Sequence, residues 1–417
     1  MNSVLSAFSP VRNLKQLFVR PEGNFPVLDG FRALSILLVV TYHTFTIYAF
    51  SNHSLNRSQL VDQSGLAWSW VWNSDKGVDV FFVISGFLIS GILLRQIRDE
   101  GRIRFGNFYL RRFLRLSPAY WGSMLLYVIF HGANAHNLWA NVLYVNNFLP
   151  FDKQAMTWTW SLAIEEQFYL VYPVLLFTLL RFHRKPERWL WGLMGLSFLI
   201  RLLVVIIHPQ LYTTPASALV TNNAFHVQQF ELLYQNLYTR YGALFSGCLA
   251  AFYYYNHEAA TKRFLNSRLG HVLGILSIVT IVVIMELPIF SHSFDDWYWM
   301  NMLYQTAARN LLAGSVAYLA LLCVENSYMS RVLNLIFGNR FWHPLAQLSY
   351  SMYLLQMAPI VAVVSIWLNT THKYPNLYHY TQWQTMSLLT LYSTGLTILL
   401  ALIFYLLIER PIMNLRK

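Results

Sequence analysis

Hydrophobic positions gather into long, nearly unbroken runs along most of the chain, separated by shorter polar or basic stretches. The runs cover 27–50, 77–95, 116–131, 158–181, 189–207, 237–255, 270–287, 304–324, 345–368 and 384–408. Runs of this length suffice to cross the hydrocarbon layer of a bilayer. Inside that layer every backbone amide must be bonded internally, which a helix achieves within one segment. The short alternating segments of barrel strands are missing. The pattern therefore predicts an all-α polytopic membrane protein, a bundle of about ten transmembrane helices. Composition agrees with it, because 56% of the 417 residues are hydrophobic and only 12% charged, a balance suited to burial in lipid.

The formal net charge of +12 would, taken alone, suggest a nucleic-acid partner. Its distribution argues otherwise. With the N-terminus inside, about 22 of the 30 Lys and Arg fall on one side of the predicted membrane, most densely between Arg95 and Arg115. The other side holds Arg57, Lys76, Lys153, Arg240 and Lys373. This bias places both termini in the cytoplasm and accounts for the basic balance without nucleic acid. Residues 1–26 lack the apolar core and cleavage site of a signal peptide. Val4, Leu5, Phe8, Val11, Leu14 and Phe18 recur there at helical spacing beside Arg12 and Lys15, which predicts a cytoplasmic interfacial helix. The chain thus divides into an amphipathic segment 1–26, a membrane domain 27–410 and a short tail 411–417. Cys248 and Cys323 both fall in spans, so neither a disulfide nor a metal centre is expected. The longest loops, about 51–76, 132–157 and 208–236, fall outside, and function is expected within the bundle and beneath them. Trp68, Trp70, Trp72, Trp297 and Trp299 on that side are read as an interfacial belt.

Polar residues inside the spans carry the candidate chemistry, since ionisable groups in lipid are costly. In the first span Arg32 and His43 are eleven positions apart, about 16 Å of helical rise and close to three whole turns. They share a face, with Arg32 at the cytoplasmic edge and His43 near the midplane. Asp29, one turn before Arg32, is expected to pair with it. Glu165 enters the fourth span about 8–10 Å below the outer surface, and Glu166 points about 100° away around the helix. Asp79 opens the second span, where a helix start and a catalytic carboxylate are both open readings. Gly86 and Gly91 in that span would permit close helix contact. Gln356 in the ninth span reaches the depth of His43. On the cytoplasmic rim Arg111, Arg112 and Arg115 form the densest charge, with Arg111 and Arg115 on one face. Guanidinium groups bind phosphates through paired donors, so the rim suits a phosphate-bearing donor beneath the histidine.

Six blocks in order then resemble acyltransferase family 3, the bacterial integral-membrane O-acyltransferases of surface glycans and small molecules. They are the Arg32-to-His43 spacing, "GVDVFFVISGFLI", "FYLRRFLRLSPAYW", "WSLAIEEQFY" with Glu165, "LSYSMYLL", and "ERP" at Glu409 to Pro411. Many members carry a histidine where this chain has Gln356, so either the glutamine substitutes as a neutral hydrogen-bond partner or that histidine's role is lost here. The run of blocks ends with the last span, and the resemblance is therefore expected to be to the stand-alone form of the family. The resemblance implies transfer of an acyl group, by default acetyl, from cytoplasmic acyl-CoA (acetyl-CoA) to a hydroxyl of an outer-face glycan or lipid-linked sugar. His43 would be the general base, with Glu165 orienting it. Arg32 and Asp79 complete the expected catalytic set. Arg111, Arg112 and Arg115 would hold the coenzyme phosphates, while Trp160, Tyr353 and Gln356 would contact substrate. A proton-coupled glycolipid transporter is the chief alternative, because midplane His and Glu residues also build proton relays. A lipid-linked glycosyltransferase or polymerase is the second.

Overall fold

A computed structural model describes residues 7–21, 23–63, 65–373 and 380–415. Val4, Leu5, Arg416 and Lys417 lie outside the described residues. Twelve helices build the frame: α1 (Pro10–Phe18), α2 (Pro26–Ser51), α3 (Gly77–Glu100), α4 (Phe105–Ile129), α5 (Trp160–Phe182), α6 (Pro186–Ile207), α7 (Leu237–Asn256), α8 (Arg268–Glu286), α9 (Tyr298–Val324), α10 (Trp342–Leu355), α11 (Met357–Lys373) and α12 (Gln382–Phe404). No strand occurs among the described residues. Local signals set several ends. Proline occupies the first turn of α2 and α6, where its missing N–H costs nothing. Thr381 and Gln384 form a reciprocal capping box on α12. Gly101 closes α3 in the left-handed conformation at φ 69°.

Each expected run is helical, but the count differs. Among the described residues seven helices are long and apolar enough to cross a membrane, and α10 with α11 adds an eighth if the bent pair is one span. The segments at α4 and α7 reach spanning length with 25 and 20 residues, yet their polar and basic residues keep them below that apolar measure. The chain is a multi-pass membrane protein. Two segments correct the sequence reading. The arginine block lies inside α4 and is continuous with the apolar run that follows it. The ninth segment is broken by 67° at Gln356, because Pro359 has no N–H to offer the Leu355 carbonyl and its ring crowds that position.

The centre of the bundle is the crossing of α3 and α7. A Cβ on Gly86 would meet the Leu244 carbonyl oxygen at 2.0 Å, and one on Gly247 would meet that of Val83 at 2.0 Å. Only paired glycines allow this approach, and the Cys248 thiol lies 3.6 Å from the Gly86 carbonyl there. Gly91 faces the Tyr255 ring instead. Helices α6 and α8 form the rim, exposing Leu199, Leu203, Ile275 and Val279 as a lipid-facing surface would. Helix α1 buries Leu17 and Asn13 and leaves Val11 and Phe18 outward, the arrangement of an interfacial helix. It is tied down where Arg410 donates to Gln16 at 2.7 Å.

Candidate active site

Among the cavities between the central helices, two are lined by the polar residues of interest, and they share no lining residue. The first, of about 100 Å³, lies among α2, α3, α4, α5, α10 and the end of the chain. Arg32, Arg112 and Arg115 line it together with Glu165 and Glu409. None of the three arginines is within ion-pair distance of a carboxylate among the described residues. Glu165 instead accepts from Ser85 Oγ (3.1 Å) and the Tyr169 hydroxyl (2.8 Å), and Glu409 accepts from Ser351 Oγ. Arg112 lies over the Tyr169 ring, 3.9 Å from its centre. The cavity thus holds three guanidinium groups outside ion-pair distance of its two carboxylates.

The sequence picture of the basic rim needs two changes. Arg112 and Arg115, rather than Arg111 and Arg115, turn into the cavity, and Arg111 is exposed. Arg32 joins them without Asp29. That carboxylate is held by Arg20 Nε and His343 Nδ1, both at 2.9 Å, because the chain before α2 folds back alongside the α10 start.

The second cavity, of about 310 Å³, contains His43 and reaches under the segments joining α4 to α5 and α6 to α7. His43 Nδ1 lies 3.2 Å from Gln356 Oε1. The Gln356 amide nitrogen donates to the Tyr353 carbonyl at 3.3 Å, which fixes the amide with its oxygen toward the imidazole. Nδ1 must therefore carry the hydrogen, and Nε2 keeps its lone pair. The break in the helix at Pro359 presents Gln356, fully buried, to this task.

Glu165 does not orient His43. It lines the first cavity and is bonded to Ser85 and Tyr169, and Gln356 holds the ring instead. Between the cavities runs a seam where the Tyr353 hydroxyl donates to the Trp158 carbonyl and lies 2.6 Å from Ser161 Oγ. Trp160 faces the second cavity, while Ser161 and Tyr353 face the first. Glu166 lines neither, and its Oε1 is buried without a hydrogen-bond partner among the described residues. Asp79 also lines neither. It is 1% exposed and bridges Arg240 at 3.0 Å and Arg309 at 2.6 Å, of which Arg309 lines the second cavity.

Lys76, Arg201, Arg309, Gln305 and His226 also line the second cavity, and sequence reasoning singled out none of them for the site. Arg201 and Arg309 lie inside spans, and that position is the signal that marks them. His226, on the short helix Asn223–Gln229, has its Nδ1 3.0 Å from the Leu219 carbonyl. Burial pushes its imidazole below the ordinary value.

The family model described as an acyltransferase domain matches residues 25–406. Among curated proteins, the peptidoglycan O-acetyltransferase OatA of Listeria monocytogenes is 26% identical over 85% of this chain and 51% of its own length. The O-acetyltransferase OatA of Staphylococcus aureus strain NCTC 8325 is 27% identical over 93% of this chain and 57% of its own. A putative O-acetyltransferase of Staphylococcus aureus strain COL is 34% identical over 37% of this chain and 25% of its own. The chain spans about half the length of the first two relatives. No solved structure matches it.

Proposed function

The chain belongs to acyltransferase family 3, whose model takes in residues 25–406, and from that membership we propose that it moves an acetyl group from acetyl-CoA to a hydroxyl of a cell-surface glycan. The observation that carries the proposal is the 3.2 Å contact of His43 Nδ1 with Gln356 Oε1. With Nδ1 committed to Gln356, Nε2 is the free base in a cavity large enough for a sugar.

The donor places its phosphates on Arg32, Arg112 and Arg115 in the smaller cavity, which corresponds to the cytoplasmic side. Its acyl arm passes the Ser161–Tyr353 seam. The acceptor enters the larger cavity beneath the outer loops, and Trp160 forms part of its wall. His43 Nε2 takes the hydroxyl proton as that oxygen attacks the thioester carbonyl. When the tetrahedral intermediate collapses, the C–S bond breaks and the imidazolium returns its proton to the sulfur, so ester and free CoA leave. Gln356 stabilises the charged ring through the Nδ1 hydrogen bond. The protein works in the bacterial cytoplasmic membrane, with both chain ends on the donor side. Peptidoglycan is the acceptor named for the Listeria relative, and it supports a glycan acceptor here.

The test incubates membranes containing the protein with isotopically labelled acetyl-CoA and follows label into the glycan fraction. His43→Ala abolishes transfer while the protein remains folded in the membrane. Near-normal labelling by that variant refutes the assignment.

A further inference from the structure

The larger cavity is walled by more positive charge than the mechanism uses. Lys76, Arg201 and the part-buried Arg309 line it, Arg240 is buried behind the Trp160 and Tyr234 rings, and two carboxylates, Asp75 and Asp79, lie among them. Asp75 is shared by Lys76 and Arg309, and Asp79 by Arg240 and Arg309. Glu231, in the loop between α6 and α7, accepts from the Phe151 backbone N–H at 2.8 Å and makes no ion pair with this group.

Arg201 is 1% exposed and meets no carboxylate among the described residues. Its donors go to backbone carbonyls, with Nη2 on Gln305 at 2.6 Å and Nη1 on Thr239 at 2.9 Å. With Nε also on Gln305 and Nη1 on Leu233, these bonds take four of its five hydrogens and leave its charge without an ion pair. Arg240 lies over the Trp160 and Tyr234 rings at 5.0 and 4.8 Å, and both rings face the cavity. Aromatic faces soften the cost of burying a cation without cancelling its charge. An uncompensated charge held this deep is costly unless an anion comes to it.

A second observation points to the same ligand. Gln305 is 3% exposed, lines the cavity, and its amide nitrogen has no hydrogen-bond partner among the described residues. Its oxygen is occupied by Gln229 Nε2 at 3.3 Å, and its backbone carbonyl is braced by Arg201. The free group is therefore a donor. Each terminal nitrogen of Arg309 spends one hydrogen on a carboxylate and retains another.

We infer that this cavity selects acceptors bearing an anionic group, a carboxylate or a phosphate, close to the hydroxyl that is acylated. The inference rests on the acyltransferase reading for the identity of the cavity as the acceptor site. The binding it requires is independent of chemistry. Gln305 and Arg309 donate to the anion, and Arg201 supplies field without a direct bond.

The test uses the full chain in lipid nanodiscs and measures binding of glucuronate, glucose 6-phosphate and uncharged glucose by saturation-transfer NMR. One of the two anions binds about tenfold or more tightly than glucose, the ratio expected of a charge-assisted contact. Which of them does so tells carboxylate from phosphate. Gln305→Glu abolishes the preference and leaves glucose binding in place, and Gln305→Met, which keeps the shape and adds no charge, weakens it. Arg115→Ala, in the other cavity, preserves it. Equal binding of all three sugars by the unaltered protein overturns the inference, whatever the variants do. A preference that survives Gln305→Glu and disappears in Arg115→Ala also overturns it, by moving the anion to the smaller cavity. Acetyl transfer is measured in parallel, and its absence with every acceptor sinks the acyltransferase reading while leaving the binding result standing.

Discussion

Replacing Gln356 by leucine removes the acceptor of the 3.2 Å contact with His43 Nδ1 while keeping comparable bulk at a fully buried position. Two effects follow. In the resting state the Nδ1 hydrogen loses its partner, at a cost of about 1–3 kcal/mol for an unsatisfied buried donor. In the transition state the imidazolium loses a stronger, charge-assisted hydrogen bond of about 1.5–3 kcal/mol, and only the excess over the resting-state loss, about 1 kcal/mol, lowers kcat, by roughly fivefold. The KM values for donor and acceptor change little, since Gln356 lines neither cavity. The assay is steady-state transfer from labelled acetyl-CoA in proteoliposomes, with pH profiles. Gln356→Glu supplies a readout that a purely structural role would not move. A carboxylate beside the ring favours its protonated form, and a base must be neutral to act, so the acid limb of the kcat/KM profile shifts to higher pH. An unchanged kcat in Gln356→Leu, or an unmoved acid limb in a folded Gln356→Glu, refutes the claim that this glutamine sets the tautomer and charge of His43.

Two further outcomes test the frame and the donor side. Arg112→Ala and Arg115→Ala each raise the KM for acetyl-CoA by about tenfold or more through loss of a phosphate contact, whereas Arg111→Ala, outside the cavity, changes it far less; equal effects at all three positions would show that the rim acts only through bulk charge. Gly247→Ala forces α3 and α7 apart, since its Cβ would lie 2.0 Å from the Val83 oxygen, and it lowers stability by about 1–3 kcal/mol or more. Thermal unfolding in nanodiscs measures this, and an unshifted transition contradicts the packing described.

Much of this protein was legible along the chain because lipid restricts what an apolar run can become. Helical class, span positions and the close approach at Gly86 follow from local sequence, since a helix satisfies its own amides and a glycine announces contact. Arg32, His43, Glu165 and Gln356 stood out too, as polar groups placed where lipid penalises them. Their partnerships were not. Asp29 stands one turn from Arg32 and is bonded to Arg20 and His343. Glu165 lies near the depth expected for His43 and faces a different cavity. Helical rise gives depth along one axis, but a hydrogen bond requires two groups to agree in rotation and lateral position as well, and only the packing of helices distant in sequence sets those. The same holds for the cations at Lys76, Arg201, Arg240 and Arg309. The sequence by itself determined that Arg201 and Arg309 would sit within apolar runs, and the tertiary structure decided that they would line one cavity with Lys76, because packing brings together charges that the chain separates by as many as 233 residues.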